Sequence, residues 1–443
     1  MRARPHVREA CAQGSLIQPA PPLWKDPDFV KLWTGQTVSK LGSVVTRTAL
    51  PLVALLVLGA GPREMAYLVV SASLAVLLVG SVAGAWIDRL RRRPILIATD
   101  VARAALLFSI PIAQALGALR IEQLYAVAFL EACLATVFSS AYPAYVPSLI
   151  GLERVVEGNS KLALSASIAE VGGPGLAGAL VQIISAPFAM LVDAWSFMVS
   201  ALSLALIRAP EPSRPERTET TRIFQEVIEG LRVVRRHPIV FPLATRSIVA
   251  HVFGSFYGVL YSLYLLNDLH LDPFLLGIVI SAGGVGSIVG SVFASRVVDR
   301  LGIGRTIIWM AIGASALGIL TPLAQGPIAL ATLMVFLPQL IGDGLQTIEG
   351  VGEISLVQGL VPDRVLGRTN ATLEVISHGI GFPAGALLAA VIAEQIGVRG
   401  AIAIGWAGMA ASIALLVFSP LPRVRTAASW RALDAAEAAA GTE

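Results

Sequence analysis

The sequence predicts an all-α integral membrane protein, with twelve transmembrane helices in two pseudo-symmetric six-helix bundles. Three observations lead there: the composition, a series of long apolar segments, and a charged loop that occurs twice. The chain is 55% hydrophobic and 14% charged, with a mean hydropathy of +0.75, whereas soluble domains carry about 25% charged residues. Segments such as "AYLVVSASLAVLLVGSVAGAWI" (66–87) reach the roughly 20 residues that a helical span needs and lack the polar face of a soluble core helix. The loop "GAWIDRL" (84–90) returns as "SRVVDRL" (295–301), with Asp299 standing 211 residues after Asp88.

Taken in order, the apolar segments are 31–59, 65–87, 94–118, 122–148, 160–185, 187–208, 239–266, 273–297, 305–325, 328–358, 370–393 and 398–421. Lys and Arg collect on the cytoplasmic side of membrane proteins. With the N-terminus inside, the tails and inner loops hold 25 basic residues, including seven from Arg208 to Arg236, and the outer loops hold only Arg63, Arg120 and Arg399. Both termini are therefore expected in the cytoplasm and the chain in the cell's inner (cytoplasmic) membrane. The pI near 9.3 follows from the same bias, and no nucleic acid is implied. The first 27 residues have no continuous apolar run, so they read as a tail and not a cleaved signal peptide. Cys11 and Cys133 alone make no disulfide framework or metal cluster.

The expected division is a cytoplasmic tail (1–28), a bundle (29–208), a linker (209–238), a second bundle (239–421) and a cytoplasmic tail (422–443). The linker opens "APEPSRPERTET", too rich in Pro and charge to pack. It continues as an amphipathic helix over 221–238 that suits the inner membrane surface. The halves echo each other again after their fourth segments: Glu153-Arg154-Val155 pairs with Asp363-Arg364-Val365, and Asn159 with Asn370. Internal duplication is the economical reading, and two-bundle transporters are built this way.

"GAWIDRLRRRPIL" resembles the cytoplasmic loop signature of the major facilitator superfamily, with Gly84, Asp88, Arg89, Arg92, Arg93 and Leu96 at matching positions; Trp86 and Arg91 depart from it. "FVKLWTGQTVSKLGSVVTRTALPL" (29–52), "EVIEGLRVVRRHP" and "VPDRVLGRTNA" look like the branch that contains macrolide-efflux proteins and enterobactin exporters. The resemblance covers roughly 29–421. It implies a conformational switch at Gly84, Asp88, Arg89, Arg92 and Arg93 and at their second-half counterparts Asp299, Arg300 and Arg305. Arginines there can bridge helix C-termini or carboxylates across the halves, though the positive-inside rule alone also places arginines here. "AEVGGPGLAG" (169–178) resembles the family's antiporter motif at Gly173, Pro174 and Gly178, with Ala169 and Ala177 in place of glycines. Ordinary small-residue packing is the alternative there.

Charges within hydrocarbon cost about 2.5–3.5 kcal/mol each on insertion scales, so they need a partner, a wet cavity or a task. Arg47, Glu131, Glu170, Asp343 and Glu349 lie inside segments. The resemblance implies that segments 1, 4, 7 and 10 line a central cavity, which makes Arg47, Glu131 and Asp343 the leading candidates for proton or substrate binding. A structural Arg47–Glu131 pair is the alternative. Asp100 and Arg103 read as a helix-surface pair, Glu374 and His378 share a helix face, and Arg246 and His251 have no evident partner. Of Tyr257, Tyr261 and Tyr264, the outer two fit the membrane interface and Tyr257 remains a candidate binding residue.

The expectation is a secondary transporter that exports small amphipathic molecules (drug, macrolide or siderophore-like) by alternating access with proton antiport. Uptake or facilitated diffusion is the second transport reading, and a polytopic lipid-modifying enzyme the class alternative. The five histidines are scattered, and no G-x-S-x-G, H-E-x-x-H or phosphate-binding loop occurs, which speaks against an enzyme. The expected partners are a small-molecule substrate, protons and the lipid bilayer. No cofactor is called for, and the chain is expected to act as a monomer.

Overall fold

The computed structural model describes residues 22–87, 90–209 and 231–430, except 233, 236, 427 and 429. Twelve helices in it are long and apolar enough to cross a membrane, and no strand occurs among the described residues. The first half holds α1 (Pro27–Leu58), α2 (Pro62–Ile87), α3 (Arg92–Ala115), α4 (Ile121–Ile150), α5 (Val155–Ile184) and α6 (Ala186–Ala205). The second holds α7 (Val240–Asp268), α8 (Pro273–Leu301), α9 (Ile303–Leu323), α10 (Ile328–Leu360), α11 (Val365–Ile396) and α12 (Val398–Val417).

The packing repeats along with the sequence. In the first half α1 packs on α5 and α6, α4 on α2 and α3, and α3 on α6. In the second, α7 packs on α11 and α12, α10 on α8 and α9, and α9 on α12. Each pair in one half thus has its counterpart six helices later. Between the halves the main contacts are α5 with α8 and α2 with α11, which are themselves equivalent under the same shift.

The α2–α3, α4–α5, α8–α9 and α10–α11 connections lie at one end, called here the basic end; the opposite end is the far end. Buried apolar side chains form three clusters. One fills the far end and joins both halves, uniting Leu52, Met65 and Phe197 with Phe256, Leu276 and Ala389. At the basic end two separate clusters stand apart, one around Leu32, Leu96 and Tyr145 and the other around Leu243, Ile307 and Leu356. Apolar burial is what holds such elements together. Among the described residues the halves therefore share one apolar core at the far end and keep separate apolar cores at the basic end.

Backbone chemistry explains the helix ends and irregularities. Asp26 caps α1, accepting from the Asp28 and Phe29 N–H groups at 3.1 and 3.3 Å. Three helices contain a π turn: Tyr264–Asp268 in α7, Pro338–Gly342 in α10 and Val375–Gly381 in α11. Pro338 cannot donate to the ladder, and the Pro383 ring conflicts with the carbonyl one turn before it, so a looser turn relieves each position. Gly286 and Gly290 let α8 approach the α10 backbone at Leu340 and Gly344, where any side chain would collide with a carbonyl.

Several expectations need correction. The stretch expected as free tail up to residue 28 is folded from Leu23 onward. Leu23 is fully buried, its N–H donates to Glu157 Oε1 at 3.3 Å, and Trp24 sits edge-on to Trp33. Beyond α12, Val424 and Arg425 accept hydrogen bonds from Gly304 and Ile303 at 3.0 Å and so close the start of α9. Residues 210–230 lie outside the description, so most of the expected amphipathic helix does too; Val234, near its end, is buried against the second half. Tyr261 and Tyr264 are not interface residues but buried ones, at 8% and 0% exposure. The Tyr264 hydroxyl donates toward the Thr321 and Ala324 carbonyls at 3.0 and 3.2 Å, clasping the end of α9. Tyr264→Phe removes this clasp, while Thr321 O keeps the Ala324 N–H and Ala324 O keeps Arg399, so it should cost only about 0.5–1.5 kcal/mol, read as a modestly lowered midpoint of thermal unfolding in detergent.

Candidate functional site

Two recesses open on the inner walls of the halves. The second-half recess, of about 430 Å³, is lined from α7 by Arg246, His251 and Tyr257, and from α10 by Gln339, Asp343, Glu349 and Glu353. Phe382 and Trp406 add aromatic surface from α11 and α12. The first-half recess, about 460 Å³, is more hydroxylic, with Gln36, Ser39, Lys40, Ser43, Thr136 and Ser139 beside Arg103 and Glu131. Both lie at the depth of the apolar segments, so every ionisable group in them is expensive unless solvated or paired.

Each recess is organised around one arginine. Arg103 on α3 grips Glu131 on α4, with its Nε donating to Glu131 Oε1 at 3.0 Å and Nη2 reaching the same oxygen. Its guanidinium also lies 3.9 Å from the centre of the Phe197 ring, a cation–π contact. Two further carboxylates stand close by. Asp100 is fully buried, with Ser200 and Arg103 as its polar neighbours. Asp193 is also fully buried; it accepts from the Ser196 hydroxyl at 2.8 Å and lies within electrostatic reach of Arg103 and Glu131. In the second half Arg246 pairs with Glu349 at 2.5 Å and meets Glu353 at 3.9 Å. Asp343 lines the same recess against Gly283 of α8 and has no ion pair among the described residues.

The placement of the expected residues is therefore mixed. Glu131, Tyr257, Asp343 and Glu349 line the recesses. Arg47 does not pair with Glu131; it pairs with Glu170 on α5, both side chains being more than half exposed. Asp100 and Arg103 are not a surface pair: both are buried, and the cation serves Glu131. Arg246 and His251, which lacked partners in the sequence, find them on α10 and at His378 of α11. Glu374 and His378 do share a face, 3.4 Å apart. Asp193 went unnoticed, although a lone acid in "AMLVDAWSF" carries the same signal as Glu131.

The charged loop is described only in part. Asp88 and Arg89 lie outside the described residues, and Gly84 belongs to the last turns of α2. Arg92 donates to the Ala144 carbonyl, and Arg93 to the Leu204 and Ala205 carbonyls at 2.8 and 2.7 Å. These three contacts are within the first half: Arg93 satisfies carbonyls at the C-terminal end of α6, and Arg92 reaches one in the last turns of α4. Asp299 and Arg300, in the last turn of α8, and Arg305, in the first turn of α9, are exposed at the basic end.

Gly173, Pro174 and Gly178 sit where α5 meets its neighbours. Gly173 packs on Val44 of α1, while Gly178 faces the Pro273 carbonyl and Gly277 the Pro174 carbonyl across the divide between halves. The Gly175 N–H donates to Ser281 Oγ at 2.9 Å. Nearer the far end of α2 and α11, Arg63 bonds Glu394 at 2.6 Å. The glycines allow the two backbones to touch, and the contact lies in the half of α5 that runs toward the far end.

Comparison with known proteins follows the same line. The profile of a transmembrane secretion effector family matches residues 18–439. The MFS-type transporter YvqJ of Bacillus subtilis (strain 168) is 24% identical over 73% of this chain and 76% of its own length. The multidrug efflux pump Tap of Mycolicibacterium fortuitum is 23% identical over 74% of this chain and 80% of that one. A crystal structure of the nucleoside transporter NupG superposes with a TM-score of 0.72 at 12% identity, covering 88% of this chain and 99% of that one.

Proposed function

The chain belongs to the transmembrane secretion effector family of major facilitator transporters, and on that premise we propose that it exports small amphipathic molecules in exchange for protons. It is a transporter and not an enzyme, as its relatives are. The observation that carries the exchange is charge arithmetic. Arg103 faces Glu131, Asp100 and Asp193, and Arg246 faces Glu349 and Glu353 with Asp343 nearby. One cation cannot neutralise several carboxylates at membrane depth, so the remainder bind protons, and bound protons are what a gradient can drive.

Alternating access supplies the cycle. The far end is sealed by a core common to both halves, and among the described residues the apolar cores at the basic end are separate. With the arginine-rich end in the cytoplasm of a cell's inner membrane, this is the inward-open state, ready to load substrate from within. The aromatic and acidic second-half wall, facing a hydroxylic first-half wall, favours neutral or cationic amphipathic solutes such as amine-bearing drugs and macrolides. It disfavours polyanionic siderophores, whose charge would meet Asp343, Glu349 and Glu353. A single chain holds both walls, consistent with a working monomer.

Everted membrane vesicles with an imposed pH gradient test this reading. Adding a hydrophobic amine drug should draw protons out of the acidified lumen, and Glu131→Gln or Asp343→Asn should abolish that exchange. Drug uptake that proceeds unchanged without a gradient would refute antiport.

A further inference from the structure

Two histidines face each other in a way the reading above does not use. His251 on α7 lines the second-half recess, and His378 stands in the π turn of α11. Their Nε2 atoms are 3.1 Å apart, and the rings meet at 68° with centroids 4.2 Å apart. The nitrogens are closer than the centroids, so the rings lean together at their Nε2 ends. Each lies roughly 15–20 Å along its helix from the basic end.

The outer nitrogens decide what can sit between the inner ones. His251 Nδ1 is 2.7 Å from the Ser247 carbonyl oxygen. A carbonyl only accepts, so this Nδ1 carries a hydrogen, and a neutral His251 turns a bare Nε2 toward its neighbour. His378 Nδ1 is 3.4 Å from a Glu374 carboxylate oxygen, an ion-pair distance at which the negative charge favours a hydrogen on this nitrogen as well. Two neutral rings so arranged would set lone pair against lone pair. One added hydrogen turns that repulsion into a charge-assisted bond.

We propose that His251 and His378 form a binding site for a single proton, with His378 as the imidazolium donating its Nε2–H to Nε2 of His251. A metal ion fits less well: among the described residues no group of three or more His, Cys, Asp or Glu is placed to hold one. The charged groups around the pair are few. On α11 there is Glu374; on α7 there is Arg246, held by Glu349 and Glu353 of α10. From α2 the neighbour of the turn is Leu77, against Gly379, and from α12 it is Met409, against Gly254. The shared proton fastens α7 to the π turn of α11, and that turn rests on α2 of the other half. Its loss sets the two rings against each other and loads the contact between halves. This last step deepens the proton-exchange reading and rests on it; the site itself does not.

Nitrogen NMR of the full-length chain in detergent, with ¹⁵N-labelled histidine and with His251→Asn and His378→Asn to assign signals, tests the site. At pH near 7 the pair should show three hydrogen-bearing ring nitrogens and one bare one, and alkali should remove the shared hydrogen. Glu374→Leu removes the acceptor that favours the Nδ1 hydrogen of His378, so a second bare nitrogen should appear at neutral pH while the helical circular dichroism is retained. Any two bare ring nitrogens in the wild-type pair at neutral pH, a His378 spectrum indifferent to His251→Asn, or stoichiometric metal in the purified protein would overturn the proposal. Transport that ignores the pH gradient would sink the antiport reading and leave these spectra unaltered.

Discussion

Gly277→Leu will hold the far end of the protein open. A Cβ at this position would stand 3.1 Å from the Gly175 Cα and closer still to the Pro174 carbonyl oxygen. Both are backbone atoms of α5, and neither can rotate away as a side-chain tip would. The two helices must part instead. Overpacking of this kind costs about 1–3 kcal/mol, and the cost falls on the state closed at this end. Since about 1.4 kcal/mol changes a population tenfold, that state should become about ten- to a hundredfold rarer. Spin labels at Ile183 and Phe274, both exposed near the meeting of α5 and α8, should report longer separations in the variant, together with lost transport. An unchanged distance distribution would show that this glycine contact is not the gate.

Arg246→Met should be the most destabilising single change in the recesses. Arg246 is 15% exposed and Glu349 only 5%, so removing the cation strands a largely buried carboxylate without its counter-charge. Breaking a buried pair by deleting one partner costs about 3–5 kcal/mol, whereas replacing both by neutral groups costs far less. Thermal unfolding should therefore fall sharply in Arg246→Met and recover in part when Glu349→Gln is added. Glu353, at 3.9 Å from the arginine, accounts for what the second change does not restore. Arg63→Met provides the contrast: the Arg63–Glu394 pair is 58% and 37% exposed, and such pairs contribute about 0–1 kcal/mol. Equal losses at the two sites would contradict this account.

The architecture was legible because hydropathy and the repeated loop act over many residues. Twelve segments, their division into two sixes and the shared Asp-Arg-Leu element all follow from patterns that no single substitution erases. Ion pairing was less legible. Arg103 stands three residues from Asp100, a spacing that suggests a surface pair, yet the turn of α3 buries both and hands the arginine to Glu131 on the next helix. Arg246 and Glu349 are more than a hundred residues apart, and only the packing of α7 beside α10 brings them together. The tyrosines misled for a related reason. A Tyr near a helix end suits the membrane interface, but Tyr264 sits in a π turn that turns it inward, onto the carbonyls of α9. Leu23 and Val424 illustrate a third limit: short segments outside the apolar runs carry too little periodicity to announce that they dock.

The π turns of α10 and α11 have a mechanical consequence. Such a turn stores one residue more than an α-helical turn, and that surplus can travel along the rod without either end moving. Each residue the surplus passes is advanced by about 1.5 Å and swung by about 100°. Asp343 begins the regular helix directly after one of these turns, and Phe382 directly after the other. A slip of the surplus by a few positions would re-aim an acid and an aromatic ring at the recess, leaving the ends of both rods in place.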